Sequence, residues 1–411
     1  MNSKDLTELA ELGTSCPDHF LRTKIKPLVV PVSAASGEPD TQLLDAALDA
    51  YRRDYAAYYE RCKDQSSPAI RGADPVVFLV PGVGMITFAR DKATARIAAE
   101  FYINAINVMR DANAIDEYVG LDEQEAFNIE YWALEEAKLQ RMPPAKPLAG
   151  RIAMVTGGAG GIGAAIARRF LREGACVVLA DINQDAAIEA AAEFAAEFGT
   201  DRVRHVIIDV TDEQSVAAGF RQAMVEYGGI DILVANAGIA SAASIEDTSA
   251  ELWDRNFDVL SKGYFLTSRD AFRIMKRGGG GSIVFVGSKN ALVASAGAAA
   301  YSAAKASELH LARCLALEGA ACGIRVNSVN PDAVLSGSRI WSGDWRKERA
   351  EAYGIGVDEL EAHYQQRSLL KLEVLPQNIA EAVYFFASDL ASRSTGNIVN
   401  VDAGNAAAFT R

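Results

Sequence analysis

The stretch RIAMVTGGAGGIGAAIARRF, residues 151–170, decides the fold of the larger part of this chain. An apolar run of strand type ends at Thr156, glycines follow, and an alanine-rich segment of helical period begins. Glycine lets backbone amides approach a pyrophosphate closely, and the N-terminus of a helix carries a partial positive charge. The stretch therefore predicts a strand, a turn and a helix that bind a dinucleotide. A glycine-rich turn without a ligand is the alternative, and the strand-turn-helix context argues against it.

Apolar runs of strand type recur downstream and alternate with alanine-rich helical segments. These runs are 152–155, 177–180, 206–208, 232–235, 282–286, 324–329 and 398–401. Near-continuous apolar strands are typical of a parallel sheet that is covered by helices on both faces. Residues 150–411 are therefore predicted to form a Rossmann-like, doubly wound α/β domain with about seven strands.

A proline-rich segment, residues 141–149, separates this domain from a different N-terminal region. Prolines end helices and stiffen linkers, so we predict a domain junction there. Residues 1–140 are predicted to form a smaller α/β region. In it, residues 42–63 read as one helix, residues 75–90 as two strands joined by a Pro-Gly turn, and Asp91 as the cap of a second long helix. The apolar face of that second helix is predicted at Ala93, Ile97, Phe101, Ala105 and Val108.

Composition and charge exclude several classes of protein. The chain has 411 residues, of which 50% are hydrophobic and 23% are charged, as in an ordinary globular protein. Its formal net charge of −13 argues against a nucleic-acid-binding face. No apolar run approaches the roughly 18 residues of a membrane span, and the charged N-terminal stretch argues against a signal peptide. Five cysteines without a C-x-x-C pair and four scattered histidines predict no disulfide framework and no metal motif, and they favour the cytoplasm.

Later strand ends supply further candidates for contacts with the dinucleotide. The carboxylate of Asp181, after the second strand, can accept hydrogen bonds from both adenosine ribose hydroxyls and would repel a 2′-phosphate. Because no basic residue stands nearby, this position favours NAD over NADP, with a helix cap as the alternative role. The ends of the third and fourth strands are Asp209-Val210 and Asn236-Ala237-Gly238, where simple turn chemistry is the alternative.

A tyrosine and a lysine four residues apart form the candidate catalytic pair. Tyr301 and Lys305 share one face of a predicted helix. A lysine ammonium stabilises a neighbouring phenolate, which can take a hydroxyl proton while hydride leaves for nicotinamide. Ser288, at the end of a strand, can hold the substrate oxygen. The same spacing recurs at Tyr59 and Lys63, but no serine or strand precedes that pair, so it is interpreted as a solvated helix face.

Together these motifs resemble the short-chain dehydrogenase/reductase family over residues 148–411. The matching positions are 156–163, Asp181, Asn236-Ala237-Gly238, Ser288, Tyr301, Lys305 and Asn330-Pro331. The resemblance implies an NAD(P)-dependent oxidoreductase that forms a dimer or tetramer, with Ser288, Tyr301 and Lys305 as its catalytic residues. It implies a cofactor-binding set of Gly157, Gly161, Ile162, Gly163, Asp181, Asp209, Val210, Asn236, Ala237, Gly238, Tyr301, Lys305 and Pro331, in which Lys305 holds the nicotinamide ribose.

The chain departs from the family pattern in the helix after the fourth strand. Leu260 stands where the family commonly has an asparagine that assists a proton relay, and a leucine cannot bind a water molecule. Asn256 lies one helical turn earlier and is predicted to take over that role or to contact substrate. Lys289 and Asn290, beside Ser288, are further candidates for substrate contacts.

Other departures lie on the substrate side. Asp332 follows Pro331 where the family often has glycine, and Asp402-Ala403-Gly404 replaces a more usual Asp-Gly-Gly. The segment 335–373 is predicted to form a lid over a small polar or anionic substrate, with a solvated charged helix as the alternative for its cations. Its aromatic and basic residues are Trp341, Trp345, Arg339, Arg346, Lys347, Arg349 and Arg367.

The N-terminal segments 15–24, 80–110 and 130–144 resemble the region that joins the two halves of bifunctional rhamnulose-1-phosphate aldolase/short-chain dehydrogenases. In those proteins a metal-dependent aldolase half releases lactaldehyde, and the dehydrogenase half is assigned to its oxidation to lactate. A class II aldolase needs about three histidine ligands and a carboxylate, whereas this region offers only His19. Residues 1–140 are therefore predicted to be a truncated, non-catalytic aldolase remnant that serves docking or oligomerisation, or no function.

The resemblance implies that the dehydrogenase oxidises lactaldehyde. A sugar or polyol alcohol dehydrogenase of the same family is the alternative within enzymes. A non-catalytic NAD-binding module, in which Leu260 marks a lost relay, is the alternative outside them.

Overall fold

The computed structural model describes residues 5–14, 19–33, 37–337, 341 and 344–409. The chain divides into two compact units, Met1–Pro144 and Ala145–Arg411. The division falls within residues 141–149, the segment whose prolines predict a junction. Each unit has its own sheet and its own hydrophobic clusters.

The first unit contains a three-stranded sheet. Strand β1 (Leu28–Val29) pairs in parallel with β2 (Val77–Val80), which pairs antiparallel with β3 (Gly84–Thr87). Its helices are α1 (Leu6–Glu11), α2 (Phe20–Thr23), α3 (Thr41–Cys62), α4 (Lys92–Ile115), α5 (Glu123–Glu130) and α6 (Ala133–Gln140). The predicted helix over residues 42–63 and the predicted pair of strands within residues 75–90 are both confirmed.

Helix α4 begins as the sequence predicts, but it buries a different face. The Asp91 carboxylate accepts a hydrogen bond from the Thr94 amide at 2.8 Å, which confirms the predicted cap. The buried positions are Ala95, Ala98, Tyr102, Ala105 and Met109. The predicted face shares only Ala105 with this set, and Val108 is exposed. The helical period was right, but the phase was wrong because it is fixed by burial of the large Tyr102 ring against β2.

Tyrosines of α3 and a glutamate form a buried polar network in the first unit. The carboxylate of Glu130 is buried and accepts hydrogen bonds from the hydroxyls of Tyr55, at 2.5 Å, and Tyr58, at 3.3 Å. The Tyr59 ring is also buried, packs against the Tyr131 ring, and donates its hydroxyl to the Pro68 carbonyl. The interpretation of the Tyr59 pair as a solvated face is therefore wrong for Tyr59. Its neighbour Lys63 is exposed and pairs with Glu60.

The second unit is built on a seven-stranded parallel sheet, which confirms the predicted fold class. The strands are β4 (Ile152–Thr156), β5 (Cys176–Asp181), β6 (Val203–Ile207), β7 (Ile232–Ala235), β8 (Gly281–Val286), β9 (Ile324–Pro331) and β10 (Ile398–Val401). They lie in the order β10-β9-β8-β7-β4-β5-β6. Strands β5 and β6 follow β4 on one side, and β7 to β10 follow one another on its other side. The direction of the strand order therefore reverses between the neighbours β4 and β7. In open parallel sheets, ligands bind at this reversal, outside the carboxyl ends of the strands.

Helices cover both faces of this sheet. They are α7 (Gly161–Arg172), α8 (Gln184–Phe198), α9 (Glu213–Tyr227), α10 (Ala250–Phe257), α11 (Gly263–Gly278), α12 (Ala299–Gly319), α13 (Asp344–Tyr353), α14 (Leu360–Arg367) and α15 (Pro376–Ala387). One face packs against α7, α8 and α15 through a cluster that includes Phe170, Phe194 and Phe386. The other packs against α9, α11 and α12 through a cluster that includes Phe220 and Met275. Two apolar faces explain why the strands read as continuous apolar runs.

The turn between β4 and α7 is held against the end of β7. The Thr156 hydroxyl oxygen accepts hydrogen bonds from the amides of Asn236, at 2.9 Å, and Ala237, at 3.0 Å. The Asn236 side-chain amide donates back to the carbonyls of Thr156 and Gly157. A Cβ atom on Gly163 would lie 2.1 Å from the Gly157 carbonyl oxygen, so only glycine allows this close approach of helix and turn.

We expect Gly163→Ala to lower the free energy of unfolding by about 3 kcal/mol, because the added methyl group forces the turn away from the helix. Denaturant unfolding measures this change. Gly278→Ala is the matched control, since nothing lies within 4 Å of a Cβ atom at that position. An alanine at residue 163 that left stability unchanged would contradict the close approach.

A second backbone constraint follows strand β10. Ala403 has a φ of 52°, a left-handed conformation that costs an alanine about 1–2 kcal/mol. Its carbonyl accepts a hydrogen bond from the Leu370 amide, and Gly404 accepts one from Leu369, so the turn anchors the chain that precedes α15. The replacement of the usual glycine by Ala403 therefore leaves strain in this turn.

We expect Ala403→Gly to stabilise the protein by about 0.5–1 kcal/mol, because relief of strain exceeds the entropy that glycine adds to the unfolded chain. Urea titration measures the difference. Ala192→Gly, at an exposed position inside α8, serves as control and should destabilise by about 0.5–1 kcal/mol. A destabilised Ala403→Gly variant would contradict the strain.

Candidate active site

A cavity of about 810 Å³ opens at the carboxyl ends of the strands in the second unit. It is lined by almost every residue that the sequence singles out: Gly157, Gly161, Ile162, Gly163, Asp181, Asp209, Val210, Asn236, Ala237, Gly238, Ser288, Lys289, Asn290, Tyr301, Lys305 and Pro331. These residues come from separate strand ends and from the first turns of two helices, α7 and α12. The parallel sheet brings them to a single edge. Asn256 is the predicted site residue that does not line this cavity.

The N-terminus of α7 forms one end of the cavity. The cap residue Gly160 has no side chain that could bond the first amides of the helix. Those amides and the helix dipole are therefore available to an anion. Gly161, Ile162 and Gly163 line the cavity beside this end. The arrangement fits the pyrophosphate of a dinucleotide, which would bind to the backbone of the turn rather than to side chains.

Asp181 lies at the adjoining strand end and does not cap a helix. Its carboxylate accepts hydrogen bonds from the amides of Ala159, at 3.1 Å, and Asn183, at 3.0 Å. Helix α8 is instead capped by Asn183, whose side chain accepts from the Ala186 amide. The two amide contacts orient the carboxylate at the cavity wall, where it can still accept bonds from a ribose.

Two other predicted contacts build the wall through their side chains. The Asp209 carboxylate accepts hydrogen bonds from the Thr211 amide and hydroxyl. The Asn236 side chain bridges the turn after β4 and has no further proton to donate. A ligand at these positions would therefore meet mainly the backbone and the neighbouring Val210, Ala237 and Gly238.

The candidate catalytic residues meet in the same cavity. Ser288 follows β8, and its hydroxyl oxygen accepts a hydrogen bond from the Asn290 amide at 3.2 Å. Tyr301 and Lys305 lie in successive turns at the start of α12, with the Lys305 ammonium nitrogen 6.0 Å from the centroid of the Tyr301 ring. Lys305 is buried and donates to the Val286 carbonyl at 3.3 Å. The Val286 carbonyl at the end of β8 therefore holds the Lys305 ammonium group near the Tyr301 phenol.

Sequence reasoning missed Glu308, a second charged group beside Lys305. Its carboxylate oxygens lie 3.0 and 3.1 Å from the Lys305 nitrogen, and the Glu308 side chain is 1% exposed. Burial raises the pKa of Glu308 to about 8, although Lys305 opposes this shift. Burial also lowers the pKa of Lys305, but Glu308, Tyr264 and Tyr301 outweigh it and the net shift is upward. The signal in the sequence was a glutamate three residues after the lysine on a helix face that is otherwise apolar.

The substrate candidates beside Ser288 already have partners within the protein. The Lys289 ammonium lies 3.3 Å from the carboxylate of Asp332, and both side chains are largely buried. Asp332 also accepts a hydrogen bond from Asn405. The Asn290 side chain accepts from the Ser295 hydroxyl at 3.3 Å. Lys289 therefore faces the cavity as half of an ion pair, a contact that a glycine at position 332 would not provide.

Aromatic side chains of α13 and α14 form the opposite wall. They are Trp345 and Tyr353 of α13 and Tyr364 of α14, joined by Trp341. The Trp345 ring lies 5.9 Å from the Tyr301 ring, which places this wall directly beside the candidate phenol.

One buried cation of the predicted lid belongs to this wall. Arg349 donates to the Ala296 carbonyl at 3.1 Å and to the Tyr353 hydroxyl, and it lines the cavity. Lys347, by contrast, is exposed, as the alternative of a solvated helix predicts. Arg339 lies outside the described residues. The segment 335–373 thus supplies aromatic rings and one arginine to the cavity.

The structure corrects the prediction for Asn256. This side chain is fully buried, and its amide donates to the Ser241 hydroxyl and the Leu252 carbonyl, both at 2.8 Å. It does not line the cavity. Helix α10 continues into a π-helical turn, Asp258–Lys262, which changes the helical phase between positions 256 and 260. Leu260 lies in that turn, fully buried. Asn256 is therefore held by contacts within the protein rather than at the cavity wall.

The arrangement can carry out proton and hydride transfer. Tyr301 can exchange a proton with a substrate oxygen that Ser288 holds, while Lys305 supplies positive charge beside the phenol. A bound nicotinamide would accept or donate the hydride. In the part of the chain that the structure describes, no group of three or more His, Cys, Asp or Glu side chains is placed to bind a metal. No described helix is long and apolar enough to cross a membrane.

Comparisons with known proteins agree with this geometry. Residues 151–347 match the family model described as short chain dehydrogenase, and residues 1–139 match aldolase class II, second domain. The uncharacterized oxidoreductase YuxG of Bacillus subtilis is 44% identical over the whole chain, which spans only 60% of the length of that relative.

Two other relatives align with the second unit. Cis-4-hydroxycyclohexanecarboxylate dehydrogenase of Sinomonas cyclohexanicum is 38% identical, over 62% of this chain and 96% of its own. The crystal structure of sorbitol-6-phosphate 2-dehydrogenase SrlD from Erwinia amylovora is 34% identical with a TM-score of 0.59, over 62% of this chain and 98% of its own. The chain therefore belongs to the short-chain dehydrogenase family of oxidoreductases.

Proposed function

We propose that this protein is an NAD-dependent dehydrogenase that oxidises a small hydroxy or aldehyde substrate, with lactaldehyde as the first candidate. The observation that carries the proposal is the meeting of Ser288, Tyr301 and Lys305 with the glycine turn and Asp181 in one cavity. A cavity of about 810 Å³ has room for a dinucleotide and a small substrate.

An aldehyde is a reasonable substrate for these residues because its hydrate is a geminal diol. Tyr301 takes the proton of one hydroxyl, Ser288 holds the oxygen, and hydride leaves the same carbon, so that a carboxylic acid results. The chemistry requires no cysteine nucleophile. The same residues would oxidise a secondary alcohol to a ketone by an identical pair of transfers.

The N-terminal unit supports lactaldehyde over other aldehydes. Its match to the aldolase class II second domain suggests a history in which a ketose phosphate was cleaved and its aldehyde product oxidised. We propose that residues 1–140 are not catalytic here and serve docking or oligomerisation. His19 of this region is buried and stacked on Phe101, 4.7 Å between ring centroids.

A polyol or sugar alcohol is the second candidate substrate. It is favoured by the likeness to sorbitol-6-phosphate 2-dehydrogenase and by the polar, arginine-containing wall opposite Tyr301. Arg349 would bind an anionic end of such a substrate, and the rings of Trp341 and Trp345 would pack against its carbon chain.

We also propose that the enzyme is a cytoplasmic homo-oligomer, a dimer or tetramer. The proposal rests on the family alone. Light scattering coupled to size-exclusion chromatography, with the full chain and with residues 1–145 removed, would measure the mass and the contribution of the N-terminal unit.

The orientation of Asp181 leads to a prediction about cofactor preference. We expect Asp181→Asn to lower the preference for NADH over NADPH by roughly tenfold or more, since a charged acceptor is lost and repulsion of the 2′-phosphate ends. Fluorescence titration with both nucleotides measures the ratio. Asp185→Asn, an exposed change in the first turn of α8, should leave it unaltered. A wild-type protein that prefers NADPH would contradict the assignment of NAD.

The decisive experiment is NAD reduction by the purified protein with L-lactaldehyde beside a panel of polyols and sugars. Turnover on lactaldehyde is expected, and Tyr301→Phe should reduce it by roughly 10²-fold or more because the proton acceptor is removed. Turnover on a polyol alone would keep the reaction and replace the substrate. Dinucleotide binding without turnover on any compound would favour a non-catalytic NAD-binding module.

A further inference from the structure

A buried carboxylate accompanies the candidate catalytic lysine. Glu308 lies one helical turn beyond Lys305 on α12, and the two side chains are 1% and 5% exposed. We propose that Glu308 is a positioning residue that keeps Lys305 charged and directed into the active site. The proposal rests on the dehydrogenase function above, because Lys305 acts there on Tyr301 and on the nicotinamide ribose.

The argument begins with the cost of burying a lysine. An ammonium group that leaves water without a partner loses its proton rather than remain charged. Lys305 is only 4% exposed, yet its ammonium form is the one that stabilises a phenolate. A carboxylate 3.0 Å away offsets the burial and keeps the proton on Lys305. This pair therefore maintains the charge that the site requires.

The contacts of Lys305 show why the carboxylate matters. Among the residues that the structure describes, its hydrogen-bond acceptors are Glu308 and the Val286 carbonyl. The neighbouring π-helical turn contributes Leu260, whose side chain is fully buried and cannot accept a hydrogen bond. Glu308 thus supplies both the second acceptor, through its Oε2 atom, and the opposite charge.

Other titratable groups near the pair leave this assignment intact. Tyr264 of α11 lies with its ring 5.2 Å from the Lys305 nitrogen and donates its hydroxyl to the Val286 carbonyl. Tyr301 is the other neighbour on α12. The cavity wall also carries Glu251, Asp254 and Arg255 of α10. Two further lysines, on elements that pack against this helix, are already paired.

These pairs are Lys289 with Asp332 and Lys262 with Asp258. Glu308 is therefore the carboxylate that responds to Lys305.

The pH dependence of a Glu308→Gln variant tests the proposal. Glutamine mimics the protonated carboxyl, and the pKa of Glu308 is raised to about 8 by burial. At acid pH the lysine of either protein keeps its proton, so wild type and variant should behave alike. As pH rises, the Glu308 carboxylate of wild type holds the Lys305 proton, whereas the lysine of the variant loses its proton.

Two readouts follow this difference, the dissociation constant of NADH and kcat/KM, each measured from about pH 6 to about pH 10. We expect the two proteins to agree at the acid end. At the alkaline end the variant should be weaker by roughly tenfold for each unit by which the pH exceeds its lysine pKa. Glu318→Gln, an exposed change on the same helix, is the matched control and should follow wild type throughout.

Profiles that run parallel over the whole range would overturn the proposal, because a merely structural glutamate would change stability without changing the pH dependence. If Glu308→Gln does not fold, Glu308→Asp takes its place. Aspartate keeps the negative charge, but its side chain is one methylene shorter, so the carboxylate lies farther from Lys305. We therefore expect this variant to lose less kcat/KM and less NADH affinity at alkaline pH than a variant with a neutral residue would lose. An aspartate variant whose activity falls by the same factor at every pH, with no added alkaline loss, would overturn the proposal equally.

A third readout needs neither dinucleotide nor substrate, so it separates this proposal from the proposed function. Burial lowers the pKa of a lysine that has no carboxylate partner, and a lysine whose folded pKa is lowered adds stability as pH rises through that pKa. The unfolding free energy of Glu308→Gln should therefore rise relative to that of wild type between about pH 8 and about pH 10, because wild type keeps the Lys305 proton. A protein that binds no dinucleotide would refute the proposed function, and an unfolding free energy of the variant that runs parallel to that of wild type over this range would refute the charge pairing.

Discussion

The hydrogen bonds that tie the end of β4 to the end of β7 are the constraint on which the second unit depends. Thr156 and Asn236 join the two strands at the place where the strand order reverses. Every helix that follows a strand must start from this edge, so the polar strand ends and the start of α7 share one cavity. The close approach of Gly163 to Gly157 completes the turn, because any side chain there would open the edge.

Both buried lysines at this edge lie in ion pairs. Lys305 is matched by Glu308, and Lys289 is matched by Asp332, so two buried lysines are each neutralised by a carboxylate. An unpaired buried charge would destabilise the fold by several kcal/mol. The apolar surroundings strengthen the electrostatic interactions of a substrate in the cavity. Because each lysine is paired with a carboxylate, these charges are buried without loss of stability. The Arg349 guanidinium is stabilised differently, by a carbonyl, a hydroxyl and the face of Trp345.

The sequence was sufficient for the sheet and for the residues that approach the cavity from strand ends. Local helix and strand geometry is periodic and leaves a pattern in the sequence. The spacing of the glycines, the apolar runs and the Tyr301–Lys305 interval all follow from it and could therefore be predicted. The sequence was insufficient where contacts with a neighbouring element decide whether a side chain is buried and where it lies. Asn256 was misplaced because a π-helical turn shifts the phase of its helix, and Tyr59 was misread because its burial comes from α5. The partner of Lys289 was missed for the same reason, since Asp332 lies about forty residues away in the sequence. The partner of Lys305 was within reach, because Glu308 follows it by three residues on the same helix.

The aromatic wall opposite Tyr301 has a consequence for how this scaffold diversifies. Trp345, Tyr353 and Tyr364 all come from the segment between β9 and α15, whereas the candidate proton-transfer residues follow β8 or lie on α12. On the proposed function, specificity and chemistry are therefore encoded in separate stretches of the gene. A lineage can exchange the segment between β9 and α15 and acquire a new substrate while the sheet, the glycine turn and the buried ion pairs are inherited unchanged.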